Sequence, residues 1–251
     1  MLKRLLLVLV ATFLVTSTFT AAADSVEGSN AAPVTAASWC TSQSSIVVLG
    51  DSMSTGHGTS DPANAWVKRI DAAFPATTVT NLSVDGALTS DFLPAGVGVQ
   101  RRPAGNLRPT AVSQIQTLQP SLVIIEVGAN EYGTDRDPVT TYRANLTDLT
   151  NRIKVASPNS TLLYVHSTGF DFRWAPLPID FDWADYHAEM SAVATAESAD
   201  YLDLTKFLPW ADTDTAGLYV ANEYGAGNTV HWKDAGHVAA AGVIQQQLLR
   251  C

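Results

Sequence analysis

The chain has 251 residues, 24 acidic against 15 basic side chains, and a formal net charge of −9 at pH 7. An acidic protein lacks the basic face that nucleic acids and anionic membrane surfaces require, so we expect neither as a partner. The length is that of one ordinary domain and allows a substantial hydrophobic core.

The N-terminal residues predict an export signal. Lys3 and Arg4 precede an apolar run over residues 5–15, and the three alanines at 21–23 offer a cleavage site. The alternative is a membrane anchor, but the run is shorter than the roughly 20 apolar residues that span a bilayer. Removal of residues 1–23 leaves 13 basic and 24 acidic side chains, a net charge of −11. We expect a secreted protein without stable membrane insertion.

Residues 24–38 are small and polar without periodicity, which indicates a flexible leader, and residues 39–251 form a single predicted domain. The two cysteines, Cys40 and Cys251, lie at the two ends of this domain. An even cysteine count in an exported chain favours a disulfide, with free or intermolecular thiols as the alternative. We expect the protein to be a monomer.

Short β-branched runs alternate with segments whose apolar side chains recur every three or four residues. Such alternation predicts an α/β fold with a parallel sheet of about five strands and helices on both faces. Functional side chains are then expected beyond the carboxyl ends of the strands. In chain order we predict a strand over 45–49, a helix over 64–74, a strand over 77–82, a helix over 110–118, a strand over 122–127, a helix over 138–155, a strand over 161–165, a helix over 183–198, a strand over 201–204 and a helix over 234–249.

Three motifs follow the first three strands. Ser52, in Gly-Asp-Ser-Met, stands at a strand-to-helix turn where its hydroxyl could act as a nucleophile, although Asp51 or Ser52 could instead cap a helix. Gly86 could bring its backbone N–H close to a substrate, or could be an ordinary turn residue. Asn130, in Gly-Ala-Asn-Glu, could donate its side-chain NH₂ to a developing oxyanion, or could serve in a turn.

A fourth motif, between the last predicted strand and the last helix, holds two histidines, His231 and His237. A histidine here can take a proton from Ser52 and return it to a leaving group.

These four segments, in this order, resemble the sequence blocks of the SGNH (GDSL-like) hydrolases over about residues 46–249. The resemblance implies a flavodoxin-like three-layer α/β/α fold and hydrolysis of ester bonds. It implies Ser52 as nucleophile and an oxyanion hole formed by the backbone N–H groups of Ser52 and Gly86 and the side chain of Asn130. It implies no metal and no organic cofactor.

The last motif can be aligned with the family pattern in two ways, which differ in the catalytic histidine and in its acidic partner. Asp234 precedes His237 by three residues, which fits the Asp-x-x-His pattern of the family literally. Family members also carry a Gly-His pair at the start of the final helix, and on that register His231 is the base. The position of the acid then falls on Asn228, whose amide oxygen could accept from the imidazole. A backbone carbonyl could do the same, or activity could be weak or lost.

His57, His166 and His187 show no metal-ligand spacing, so we expect no metal site. The aromatic segment over residues 166–183 could line a pocket for an acyl group or a sugar, or could pack onto the body. The leading hypothesis is therefore a secreted esterase acting on lipid or carbohydrate acyl esters. A non-catalytic binding protein and an acyltransferase remain as alternatives.

Overall fold

The structure is a computed structural model that describes residues 44–97, 105–135, 138–170, 172, 181–225 and 227–250. The predicted signal peptide, the predicted leader and both cysteines, Cys40 and Cys251, lie outside the described residues. No helix within the described ranges is both long and apolar enough to cross a membrane.

Within the described residues, five parallel strands form one sheet. The strands are β1 (Ser45–Gly50), β2 (Thr78–Asn81), β3 (Leu122–Glu126), β4 (Thr161–His166) and β5 (Asp200–Asp203). Their order across the sheet is β2-β1-β3-β4-β5, the order of flavodoxin-like folds, in which the chain reverses direction across the sheet between β1 and β3.

Helices cover both faces of the sheet, and the predicted three-layer architecture is confirmed. The helices are α1 (Ser52–Thr55), α2 (Trp66–Ala73), α3 (Ala111–Leu118), α4 (Val139–Ala156), α5 (Trp183–Ala196) and α6 (Asp234–Leu248). Helices α2 and α6 pack together, and α4 packs between α3 and α5.

The core lies on both sides of β1 and of β3, the central strand of the sheet. All five residues of β3 are buried, as expected for a strand covered by helices on both faces. The edge strand β2 is only partly covered, which agrees with its alternating Thr and Val. The most deeply buried large side chains include Trp66 and Trp183, which anchor the starts of α2 and α5. Because β2, β1 and β3 are neighbouring parallel strands, their carboxyl ends lie side by side at one edge of the sheet.

Candidate active site

Ser52 stands at the first turn beyond β1. It begins the short helix α1, which the carboxylate of Asp51 caps by accepting a hydrogen bond of 2.9 Å from the backbone N–H two residues later. Gly50 is required for this turn, because a Cβ there would collide with the side chain of Ser54 and come within 3.0 Å of the carbonyl oxygen of Glu126. The turn thus presents a half-buried Ser52 at the carboxyl edge of the sheet.

His231 reaches Ser52 from the segment that precedes α6. Its Nε2 lies 2.7 Å from the Oγ of Ser52, and the histidine is only 4% exposed. The backbone around it is held by an antiparallel bridge between Tyr219 and Trp232 and by the hydrogen bond from the N–H of Val220 to the carbonyl of His231 at 2.9 Å. The sequence-predicted nucleophile and base are therefore brought into direct contact.

Glu223 takes the position behind the imidazole. Its Oε1 lies 2.5 Å from Nδ1 of His231, and its Oε2 accepts from the backbone N–H of the same residue at 3.1 Å. Partial burial alone would raise the pKa of this carboxyl. The hydrogen bonds from the ring and backbone of His231 outweigh that effect, together with the nearby His57, and lower the pKa below its ordinary value. Glu223 is thus held as a carboxylate against the ring.

We expected Asn228 in this role, and the structure places Glu223 there instead. The backbone N–H of Asn228 donates to the carbonyl of Gly225, and its own carbonyl accepts from the N–H of Tyr224 at 3.1 Å. Asn228 therefore helps to close the turn that brings Glu223 back onto His231. Glu223 was missed because it lies eight residues before the histidine, whereas the family pattern puts the acid three residues before it.

A signal for Glu223 does exist in the sequence. It is the nearest acidic residue before His231, and it lies in a segment rich in turn-forming glycine and asparagine. In the structure the side chain of Asn222 accepts from the N–H of Gly227 at 2.8 Å, which folds this segment into a compact turn.

The second histidine of the motif, His237, is fully buried on the first turns of α6. Its Nδ1 accepts from the backbone N–H of Trp66 at 3.3 Å, and its Nε2 lies 3.3 Å from the carbonyl oxygen of His57, to which it donates. Burial lowers the pKa of His237 to about 4, so its ring is neutral at pH 7. It joins α6 to the start of α2 and to the segment after α1.

Asp234 is the first residue of α6, where a carboxylate suits the helix dipole. It accepts from the backbone N–H of Ser60 at 2.9 Å and from the hydroxyl of the same residue. These bonds lower the pKa of Asp234. Asp234 and His237, the pair that fits the Asp-x-x-His pattern, therefore attach α6 to the loop after α1.

The other two predicted oxyanion donors lie on the loops after β2 and β3. The amide of Asn130 donates to the carboxylate of Asp51 at 3.3 Å and to the carbonyl of Ala87 at 3.1 Å. Gly86, the neighbour of Ala87, has a φ of 71°, a left-handed conformation that favours glycine. Asn130 thus binds Asp51, the neighbour of Ser52, and Ala87, the neighbour of Gly86.

Two buried carboxyl groups lie beneath the nucleophile turn. Burial raises the pKa of Asp51 to about 6, and the nearby charge of Asp85 acts in the same direction. Burial and the proximity of Asp51 raise the pKa of Glu126 well above its ordinary value, and Ser54 donates to Glu126 at 2.7 Å. A proton is therefore retained on this pair more readily than on exposed carboxyls.

His57 was not singled out as a site residue, yet its ring lies against the catalytic candidates. Its ring centroid is 4.2 Å from that of His231, and its Nε2 is 3.5 Å from Oε1 of Glu223. Its Nδ1 is 3.5 Å from the carboxylate of Asp85. His57 therefore forms part of the rim around the imidazole of His231.

Residues 48–239 match the GDSL-like lipase/acylhydrolase family. The protein belongs to this family. The matched range contains Ser52, Glu223 and His231. A comparison with curated proteins gives no match. Membership in the GDSL-like family confirms the resemblance inferred from the four sequence motifs.

Solved structures share the fold at low sequence identity. A salicylyl-acyltransferase from a tetracycline biosynthetic pathway is 21% identical with a TM-score of 0.61, and the alignment covers 83% of this chain and 55% of that one. A phospholipase A1 from Streptomyces albidoflavus NA297 is 16% identical with a TM-score of 0.55, covering 82% and 99%. A two-domain esterase active on acetylated mannans is 18% identical with a TM-score of 0.53, covering 81% and 48%.

Proposed function

We propose that the protein is a secreted serine esterase that hydrolyses carboxylic esters through an acyl-enzyme intermediate on Ser52. The observation that carries the proposal is the continuous hydrogen-bonded line from Ser52 through His231 to Glu223, with contacts of 2.7 and 2.5 Å. A nucleophile, a base and an acid in this order form the arrangement that activates a serine hydroxyl. The GDSL-like family supports an ester as the substrate.

In the first half of the proposed reaction, Ser52 Oγ attacks the carbonyl carbon of the ester while Nε2 of His231 accepts its proton. The tetrahedral intermediate then collapses, the bond from carbon to the alcohol oxygen breaks, and His231 gives the proton to the departing alcohol. Glu223 is a positioning residue: it keeps the other imidazole proton on Nδ1 and stabilises the imidazolium while it exists. The acyl group remains on Ser52.

In the second half, a water molecule takes the place of the alcohol. His231 removes a proton from the water as its oxygen attacks the acyl carbon, and it returns that proton to Ser52 Oγ when the acyl bond breaks. The negative charge on the carbonyl oxygen in both halves would be met by the N–H groups of Ser52 and Gly86 and by the NH₂ of Asn130. Because the two donors of that NH₂ now bind Asp51 and Ala87, the longer bond of 3.3 Å to Asp51 would open as the oxyanion forms. Such fixed donors act most strongly where water is excluded.

Aromatic side chains lie beside His231 and could contact the substrate. Phe172 and Tyr224 stack with ring centroids 5.0 Å apart, and the ring of Tyr224 is centred 6.3 Å from that of His231. Apolar faces beside a polar reaction centre suit lipid acyl chains and also the flat faces of sugars. A panel of short and long acyl nitrophenyl esters, acetylated sugars and phospholipids, assayed with and without an added alcohol, separates these substrates and distinguishes hydrolysis from acyl transfer.

The decisive experiment is labelling with a fluorophosphonate, which phosphonylates only activated serines. We expect one adduct on Ser52, mapped by peptide mass spectrometry, and none in Ser52→Ala. Ser113→Ala is the matched control, because Ser113 is an exposed serine on α3, and it should label as the unaltered protein does. A folded protein that remains unlabelled at Ser52 would instead be a non-catalytic member of the family.

Export is a separate part of the proposal and rests on the N-terminal sequence. Lys3 and Arg4, the apolar run over residues 5–15 and the alanines at 21–23 have the layout of a cleaved signal peptide. Expression of the full chain in a bacterial host should yield protein outside the cytoplasm whose N terminus, read by mass spectrometry, is Asp24. Full-length protein retained in the cytoplasm or the membrane would contradict this part alone.

A further inference from the structure

A second cluster of potential ligands lies at the carboxyl edge of the sheet, formed by His166, His187 and Asp203. His166 is the last residue of β4 and Asp203 the last residue of β5, and the two are direct partners across this pair of strands. His187 comes from α5, which packs on both strands. One nitrogen of each histidine and one carboxylate oxygen all lie within 4.8 Å of one another.

His166 is the unusual member of this cluster. It is 1% exposed, and neither of its ring nitrogens makes a well-formed hydrogen bond within the described parts of the chain, although the backbone of Ser167 interacts with the ring. Its ring centroid lies 4.5 Å from that of Trp183 and 4.9 Å from that of His187. A buried polar atom without a partner costs stability, so it calls for a partner such as a water molecule or an ion.

Asp203 is already oriented toward the cluster. Its Oδ1 accepts from the backbone N–H of Thr205 at 3.0 Å and from the hydroxyl of Thr205 at 2.5 Å. Its Oδ2 faces Nδ1 of His187 at 3.6 Å and Nζ of Lys206 at 3.7 Å. The Lys206 side chain is 71% exposed, so it can leave Oδ2 for water at little cost. Oδ2 is thus available to a cation that binds the carboxylate more tightly than Lys206 does.

We propose that His166, His187 and Asp203 bind one divalent transition-metal ion of the Zn²⁺ type. Imidazole nitrogens and a carboxylate are ligands that Zn²⁺ accepts. With metal–ligand distances of about 2.0–2.2 Å, the ligand atoms of a tetrahedral site lie roughly 3.3 Å apart. The present ligand atoms lie within 4.8 Å of one another, and Oδ2 of Asp203 is 3.6 Å from Nδ1 of His187. Binding of an ion would therefore draw the three side chains together by up to about 1.5 Å. Water would fill the position that the protein leaves open.

The ion would connect the ends of β4 and β5 to α5. The sequence alone does not reveal this site, because the three ligands are far apart in the chain. One link to the Ser52 centre runs through Thr168, two residues after His166. Its hydroxyl accepts from the indole N–H of Trp232 at 3.0 Å, and Trp232 adjoins His231. The site is separate from the proposed triad and does not depend on the proposed function.

The test uses the full chain after treatment with a chelator and dialysis, titrated with Co²⁺ and with Zn²⁺. We expect one ion per chain by elemental analysis and a visible absorption band from bound Co²⁺. Saturating Zn²⁺ should raise the melting temperature by about 5 °C or more. His187→Gln should lose the ion, the band and the thermal shift, and Asp203→Asn should weaken all three. Circular dichroism checks that both variants are folded.

The matched control is His57→Gln, because His57, Glu223 and His231 form the other group of ligand atoms within 4.8 Å. This variant should bind Co²⁺ and Zn²⁺ as the unaltered protein does. Absence of binding at micromolar metal would overturn the proposal. Binding that survives in His187→Gln but is lost in His57→Gln would also overturn it, and would place the ion at the triad.

Discussion

The two carboxylate oxygens of Glu223 both bind His231, one at the ring and one at the backbone. Oε1 lies 2.5 Å from Nδ1 and Oε2 accepts from the main-chain N–H at 3.1 Å. The ring contact fixes the tautomer in which Nε2 is free to accept a proton from Ser52. The backbone contact fixes the carboxylate of Glu223 relative to the main chain of His231. Rotation of the imidazole away from Ser52 would therefore break its bond to Oε1.

Glu223→Gln should lower kcat for a nitrophenyl ester by about 10³–10⁴-fold with little change in KM. An amide in the orienting position favours the wrong imidazole tautomer, and the corresponding change in a serine protease costs about 10⁴ in kcat. Asn228→Ala tests the sequence-based assignment in parallel. Because Asn228 contributes backbone hydrogen bonds to its turn, its truncation should lower kcat by less than tenfold.

The reverse ranking, with Asn228→Ala inactive and Glu223→Gln active, would show that the asparagine orients the base. Thermal melting of both variants should accompany the kinetics, since an unfolded protein is inactive for another reason.

His231→Ala and His237→Ala should separate chemistry from stability. The first removes the proposed base and should lower kcat by about 10²–10⁴-fold in the protein that remains folded. The second leaves the buried N–H of Trp66 without its acceptor and opens a cavity, so it should cost about 2–4 kcal/mol of unfolding free energy. Its folded fraction should keep most of the activity. Urea unfolding and initial rates measure the two effects, and an inactive but stable His237→Ala would reverse the assignment.

Stability should depend on pH through His237. Burial depresses its pKa to about 4 in the folded state from 6.5 in the unfolded chain, so below pH 6.5 the unfolded chain binds a proton that the folded one does not. The contribution of the neutral ring is therefore complete above pH 6.5 and is lost as the pH falls toward 4, by about 3 kcal/mol.

The measurement is urea unfolding at pH 7 and pH 4.5 of the unaltered protein and of His237→Asn. The variant should lose less stability on acidification, while Asp51 and the other buried groups titrate in both proteins and cancel in the difference. Equal losses in the two proteins would mean that His237 is protonated in the fold.

The fold was predictable because its elements are strongly patterned. The β-branched run of β1 and the apolar run of β3 lie between turn residues, and the alternation with helices leaves few topologies for a parallel sheet. Pro75 and Pro120 also mark the boundaries of their elements. The start of a helix at Ser52 was predicted, but the extent of α1 and the π-helical turn at Glu131–Asp135 were not, since each is shorter than the window in which periodicity can be recognised.

The placement of candidate site residues at the carboxyl edge was predictable where a residue lies within a few positions of a strand end, as Ser52 and Asn130 do. Glu223 lies in an irregular segment whose path depends on turns at Asn222 and Gly225. The sequence of this segment does not predict that the carboxylate of Glu223 reaches His231. His166 and Asp203 illustrate the same limit, because only the register between β4 and β5 makes them neighbours. A search for metal-ligand spacing in the sequence identifies ligands that share one helix, strand or loop. It does not identify ligands that become neighbours only through the pairing of two strands.

Asn130→Ala should reduce kcat by about 10²–10³-fold while leaving KM within a few-fold, since an oxyanion donor acts on charge that develops only in the transition state. Ser83→Ala is a suitable control because it truncates another buried polar side chain at the same edge of the sheet. The Asn130 variant also loses its bonds to Asp51 and Ala87, so its melting temperature should fall modestly. Single-turnover kinetics distinguish slower acylation from slower product release. If kcat is unchanged, the charge is met by backbone N–H groups alone, and the amide of Asn130 serves only to hold the loops together.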